Sequence, residues 1–198
     1  MKLLKRITIA LFTLLLMSGV AYAQEDSTSI KNMLEQRDQQ IKDLLGPKGT
    51  EYTQSQRDQI KDVINGVIDY RAMAKYALEG TFDTLSTEQQ DEFVDLFSTT
   101  IRDQSLNKLD IYRANVTYNS IDVNGDKAKV STLAVLENVR TPVIYDMHYS
   151  QQEGQWVVTD LTVDDVSTAA SYRRQFQNII RKRGYDFLLE TLRKRAAR

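Results

Sequence analysis

His148 is the single histidine of this 198-residue chain, and there is no cysteine to accompany it. A zinc site or a histidine-based nucleophilic triad needs several such ligands or partners brought together, and the chain does not supply them. His148 also opposes Tyr145, Met147 and Tyr149 in strand parity, which predicts a surface or edge-strand residue. Asp164 and Asp165 form the only adjacent carboxylate pair near a predicted strand end. Neighbouring strand residues point to opposite faces, so acid-base cooperation is disfavoured and a cap for the following helix is preferred. There is no phosphate loop, dinucleotide fingerprint or calcium loop. These residues argue against an enzyme, and they call for no metal and no cofactor.

What the chain does offer is soft, apolar surface. Met73, Tyr76, Phe93, Phe97, Ile101, Tyr118, Tyr145, Met147, Tyr149 and Phe176 combine thioether and aromatic groups suited to a mouldable pocket. A filled core reads the same way by periodicity alone. The tyrosines alternate within predicted strands without interleaved basic residues, unlike a nucleic-acid surface.

The elements that position these side chains begin after residue 23. Lys2, Lys5 and Arg6 precede an apolar run from Ile7 to Met17, and Ala21-Tyr22-Ala23 is a small-x-small cleavage site. This predicts a secretory signal peptide over 1–23, too short for an ordinary membrane span, and a freely diffusing mature protein from Gln24. Without cysteine the mature chain has no acyl attachment point and no disulfide. Residues 24–198 are expected to form one domain. They carry 23 basic and 27 acidic residues, a balance that disfavours nucleic acid as a bulk partner. From Arg173 onward, however, nine basic residues face only Asp186 and Glu190. A solvated helix face with favourable C-terminal charges is the preferred reading, and contact with anionic headgroups or an acidic partner is the other.

Ile30, Met33, Leu34, Ile41, Leu44 and Leu45 predict a helix over 29–45, stopped by Gly46-Pro47. A second is expected from Ser55 through Val67 and Ile68, then a third capped by Asp69 and ending at Gly80. Ser86 with Gln89 reads as a capping box before a long helix reaching Leu109. From Tyr112 the period becomes two, with a turn at Asn124-Gly125, a strand over 127–137, a third opened by Pro142, and a fourth over 155–163. In that fourth strand Trp156 and Val158 face one side, with Val157, Thr159 and Leu161 on the other. Asp165 or Ser167 starts a helix, and Gly184 separates it from a last one. The fold class is α+β: a curved antiparallel sheet of about four strands covered on one side by several helices.

The stretch Asp69-Tyr-Arg-Ala-Met-Ala-Lys-Tyr-Ala-Leu-Glu-Gly80, with Thr-Glu-Gln at 87–89 and then Phe93 and Phe97, resembles the helical motif of the MlaC-like toluene-tolerance family. Gly154-Gln-Trp-Val-Val-Thr-Asp160, Val163-Asp-Asp-Val-Ser167 and Tyr172-Arg-Arg-Gln-Phe176 are similar to its later motifs, in order. Phe82 replaces a usual tryptophan, and Asp165 a common glycine. The resemblance implies a periplasmic phospholipid-binding shuttle of the Mla ABC transport system, with acyl tails in a hydrophobic cavity between sheet and helices. Its implied partners are a phospholipid, an inner-membrane MCE-domain protein with its ABC transporter, and an outer-membrane lipoprotein-porin complex. Together these maintain outer-membrane lipid asymmetry. A hopanoid or other lipid carrier, or an exported protein-interaction module, are the alternatives. On the carrier reading Val67, Met73, Tyr76, Phe93, Phe97, Ile101, Val116, Tyr118, Tyr145, Met147, Tyr149 and Phe176 are expected to touch tails. Arg71, Arg173 and Arg174 are expected to meet a headgroup or docking partner.

Overall fold

A computed structural model describes residues 26–106 and 109–197; the predicted signal peptide lies outside them. Helix α1 covers 26–45, and its Ile30, Leu34, Ile41 and Leu45 are buried at the spacing of one helical stripe. Gly46, at φ +55°, then turns the chain out of the helix before Pro47. Helix α2 (Gln54–Asn65) opens with a capping box between Thr53 and Gln56. It stops at Gly66, where an added Cβ would lie 2.8 Å from the Asp62 carbonyl oxygen. The expected continuation through Val67 and Ile68 does not form, because this segment is drawn against the sheet. The Val158 amide donates to the Val67 carbonyl (2.7 Å) and the Asp69 amide to the Val158 carbonyl (2.9 Å).

Asp69 caps α3 (Tyr70–Leu78) by accepting from the Ala72 amide at 2.8 Å. The short α4 (Gly80–Asp83) follows, and α5 (Thr87–Ser105) starts at the expected capping box of Ser86 and Gln89. It ends earlier than its apolar period suggested. Leu109–Arg113 is a 3-10 turn, so Tyr112 and Ala114 precede the sheet instead of belonging to it. The cause is visible in Arg113, whose guanidinium donates to the carbonyls of Leu45 (3.2 Å), Gly46 and Pro47 (3.2 Å) and to the Tyr52 hydroxyl (2.9 Å). One side chain thus satisfies the carbonyls left over at the end of α1 and fixes the turn before β1.

The strands are β1 (Asn115–Asn124), β2 (Lys127–Leu136), β3 (Val139–Ser150), β4 (Gln155–Val163) and the two-residue β5 (Val166–Ser167). They form an open antiparallel meander in sequence order, one short strand more than expected. Pro142 lies inside β3, opposite Leu133, instead of opening it. With no amide hydrogen to pair, it contributes its carbonyl, which accepts from the Asp164 amide at 3.0 Å.

Two register shifts change which side chains share a face. One falls between Tyr118 and Ser120 of β1, the other between Asp146 and Met147 of β3, where it passes over Thr159 of β4. Leu161 therefore sits opposite Tyr145, on the side of Trp156 and Val158, contrary to simple alternation from Val157. Asp164 and Asp165 also differ from expectation. Both have positive φ (+49° and +61°) and make the β4–β5 turn, while Ser167 caps α6 (Thr168–Arg183) through the Ala170 amide. Gly184, at φ +84°, separates α6 from α7 (Tyr185–Ala196).

The helices do not make one layer. Residues of α3 to α7 bury one another around Phe93, Phe97, Tyr172 and Phe176, whose rings meet 4.9–5.8 Å apart, mostly edge to face. A second cluster joins Ile30 and Leu34 of α1 to Val67 and to Ala128, Val130, Met147, Trp156 and Val158 of the sheet. A third ties the end of α1 to α2 through Ile41, Leu45 and Ile60. The helical group meets the sheet at β4. Asp160, which the sequence reading did not single out, organises that junction: its carboxylate accepts from the Leu161 amide, the Ser167 hydroxyl (2.5 Å) and the Ala169 amide (2.9 Å).

Candidate functional site

Cross-strand pairing assembles one apolar face from four strands. Val116, Tyr118, Ile121 and Val123 of β1 lie beside Ala128, Val130, Thr132, Ala134 and Leu136 of β2. These in turn face Val139, Val143, Tyr145, Met147 and Tyr149 of β3, and β4 adds Trp156, Val158, Leu161 and Val163. Two-residue periodicity, reset by the two bulges, puts all of them on the same side.

Coverage of this face is graded. At the end holding Ala128, Val130, Met147, Trp156 and Val158, the first half of α1 presses Ile30 and Leu34 against the sheet and these residues are buried, with Ile121, Val123 and Tyr149 half-buried at the margin. Towards the β2–β3 hairpin, Val116, Ala134, Leu136, Val143 and Leu161 are only half-buried. At the rim Val139 is 65% exposed and Val166 56%, with Val163 and Ile111 also open to solvent. An aliphatic surface that runs from a sealed end to an open one is unusual in a closed core, where each branched side chain buried contributes roughly 1.5–3 kcal/mol. The rim is charged: Lys48, from the loop after α1, lies 3.1 Å from Glu137, and Arg140 is exposed beside it.

Tyrosines mark the middle of the face. Burial pushes Tyr145 up to about 12, helped by the negative charge of Asp38 on α1, and burial does the same for Tyr112. Tyr118 is also raised, first by burial and then by Tyr145, Glu35 and Asp38, although Lys31 sits 5.9 Å over its ring. Raised phenol values mean the folded state holds these protons more tightly than the unfolded chain. Their contribution is intact below the ordinary value near 10.0 and is lost as pH climbs towards about 12. Alkaline titration is therefore expected to show a delayed, cooperative rise in phenolate absorbance that coincides with loss of near-ultraviolet circular dichroism. Smooth, independent ionisation of all tyrosines near pH 10 would contradict the burial of these groups.

The twelve residues expected to touch tails fall into separate places. Val67, Tyr118, Tyr145, Met147 and Tyr149 belong to the sheet-and-α1 cluster, and Val116 lies on the same face nearer the open end. Met73, Phe93, Phe97, Ile101 and Phe176 sit in the separate aromatic core of the helices. Tyr76 is exposed on α3, with the Arg173 guanidinium over its ring. The three arginines lie on the helices and not on the sheet face. Arg71 pairs with Asp91, Arg173 with Glu79, and Arg174 donates to the Ser171 hydroxyl. What the sequence reading missed is the open end itself: Leu136, Val139, Leu161, Val163 and Val166. A run of branched aliphatics on both sides of two turns was the available signal.

His148 points away from the apolar face, with Nε2 3.4 Å from a carboxylate oxygen of Asp69, the α3 cap. Among the described residues no group of three or more histidines, cysteines and carboxylates is placed to hold a metal ion. A surface notch of about 310 Å³ between α2 and α5 is lined by Asp58, Lys61, Asp62, Thr99 and Arg102. Its charged lining does not suit hydrocarbon. No helix among the described residues is long and apolar enough to cross a membrane.

Comparison with curated proteins finds no match. Among solved structures, a phospholipid-binding protein from Ralstonia solanacearum, in complex with a phospholipid, superposes with a TM-score of 0.71. Sequence identity is 20%, over 87% of this chain and 97% of that one. The α+β architecture described above is thus that of a known fold. The family model described as MlaC protein matches residues 35–194, from the middle of α1 to the last turn of α7, and the chain belongs to the MlaC family.

Proposed function

We propose that this protein is a non-enzymatic phospholipid carrier that moves lipid through the periplasm. The observation that carries the reading is the graded apolar face of the sheet, sealed by α1 at one end and open at the β2–β3 hairpin. The phospholipid held by the Ralstonia protein of the same fold supports the ligand class. At about 0.8 kcal/mol per buried methylene, a 16-carbon tail left in water costs on the order of 12 kcal/mol. A surface that replaces water around that tail needs no nucleophile, metal or nucleotide. Its partners are, on this proposal, an inner-membrane MCE-domain protein with an ABC transporter and an outer-membrane lipoprotein-porin complex.

Tails enter at the open end and run along Leu136, Val143 and Leu161 towards Tyr145 and Tyr118. To reach the sealed half they displace Ile30 and Leu34, so α1 is the element that yields. Its C-terminal end is anchored by Ile41, Leu45 and the Arg113 guanidinium, so the first half is the part that moves; there the polar ties are those of Arg37 to the carbonyls of Val63 (3.2 Å) and Gly66 (3.4 Å). Transfer is then a difference in affinity between two positions of α1.

Denaturing extraction followed by mass spectrometry is expected to recover phospholipid from the purified protein, which should also take labelled phospholipid from vesicles. Absence of both would overturn the function. The position of the gate is tested separately. The chain contains no cysteine, so Lys48→Cys with Glu137→Cys, joined by a short reducible thiol cross-linker, ties the loop after α1 to the hairpin. Lipid uptake is expected to slow at least tenfold and to recover on reduction; uptake indifferent to the link would place entry elsewhere.

A further inference from the structure

Charge is divided unevenly between the last two helices and everything before them. Residues 168–198 carry nine basic and two acidic residues, whereas 24–167 carry 14 basic and 25 acidic. A cationic helix pair on an acidic body has a strong electrical orientation.

Several of these cations are without a carboxylate partner. The side chains of Arg181 and Lys182, in the last turn of α6, are exposed and have no hydrogen-bond or ion-pair partner among the described residues. Arg183 lies 4.7 Å over the ring of Phe187, itself 39% exposed at the start of α7. Arg174, two turns before Arg181 on the same side of α6, donates to the Ser171 hydroxyl and pairs with no carboxylate among the described residues. The helix dipole favours cations in the last turn of α6, but it does not account for Arg174 or for an exposed aromatic ring among them. Asp186 is the carboxylate in the first turn of α7. In contrast, Arg193 and Lys194 further along α7 are paired with Glu92 and Glu190.

We propose that the α6–α7 corner, built from Arg174, Arg181, Lys182, Arg183 and Phe187, docks the protein on an anionic phospholipid bilayer. Unpaired, flexible cations around an exposed aromatic side chain suit a fluid headgroup layer, where charge attracts and the ring enters the interface. The acidic remainder is repelled by the same surface, so the molecule lands in one orientation. This inference rests on the carrier reading only for its purpose, since bilayer attachment and cargo binding use different residues.

Vesicle flotation of the mature chain tests it. Binding to vesicles of phosphatidylglycerol and phosphatidylethanolamine is expected to rise with the phosphatidylglycerol fraction. It should fall away near 1 M salt, where the screening length is about 3 Å. Each headgroup-apposed cation is worth about fivefold in affinity, so R181E/K182E/R183E is expected to lower binding by about a hundredfold or more. F187S should lower it severalfold. The control R57E/K75E/K127E makes the same charge change elsewhere and should lower binding far less. Equal loss in both triple variants would reduce the effect to net charge and overturn the proposal. So would equal binding to purely zwitterionic vesicles, or α6–α7-dependent, salt-sensitive binding to polyglutamate with none to vesicles, which would mark an acidic protein as the partner. Phospholipid recovered by extraction from R181E/K182E/R183E is expected to match the parent, which separates failure of docking from failure of cargo binding.

Discussion

Protein carrying Leu136→Glu and Val163→Glu together is expected to lose bound phospholipid at least tenfold while remaining folded. Both side chains belong to the apolar face at its open end, one half-buried and one reaching solvent. In the folded protein without cargo each new carboxylate keeps its hydration, so the melting temperature should move by only a few degrees. With a tail laid across the rim, the same carboxylates would be driven out of water against hydrocarbon, at a cost of roughly 2 kcal/mol or more each, and a tenfold change needs about 1.4. Thr117→Glu, on the other face of β1, is the control and should leave loading unchanged. Extracted lipid per mole of protein is the readout, and full loading of the double variant would remove the open end from the lipid path.

Phe97→Ala is expected to act in the opposite way. Phe97 is fully buried, stacks on Phe93 at 5.8 Å and meets Tyr172 and Phe176 edge to face at 4.9 and 5.4 Å. Removing it deletes the apolar transfer contribution and leaves a hole bounded by three rings, together about 3–5 kcal/mol. That is a large part of the 5–15 kcal/mol typical of a whole domain. Urea unfolding should show a lower midpoint with an unchanged slope, and the lipid bound per folded molecule should stay near the parent value. If loading collapsed instead and the midpoint held, tails would reach the helical core, and the division between the two apolar clusters would not describe the cargo path.

That division is where sequence and structure part company most instructively. Phe97 and Tyr145 are both large, both aromatic and both placed on the buried stripe of their element, so the pattern along the chain assigns them alike. Which partner each stripe packs against is decided by tertiary arrangement, and here α3 to α7 bury one another while α1 covers the apolar face of the sheet. Local chemistry was legible wherever the cause is local. Ser86 and Gln89, Asp69, Gly184 and the Asn124-Gly125 turn are each found within a residue of expectation, because caps and tight turns depend on neighbours in the chain. Leu161 and Tyr112 were misplaced for non-local reasons. A bulge at Thr159 inverts the alternation for one, and the reach of Arg113 back to the end of α1 replaces a strand by a 3-10 turn for the other. The MlaC motifs span both kinds of region, which is why the family could be read where the contacts could not.

The irregularity in β1 has a consequence for how this molecule behaves in company. β1 is the outermost strand of the meander, and a free strand margin next to a greasy surface invites neighbouring copies to add on and grow into fibrils. The register shift at Asn119 breaks the straight ladder such growth would copy, and Asp122 places a negative charge on the margin three residues later. Both features oppose strand-on-strand growth where an apolar face lies partly open to solvent.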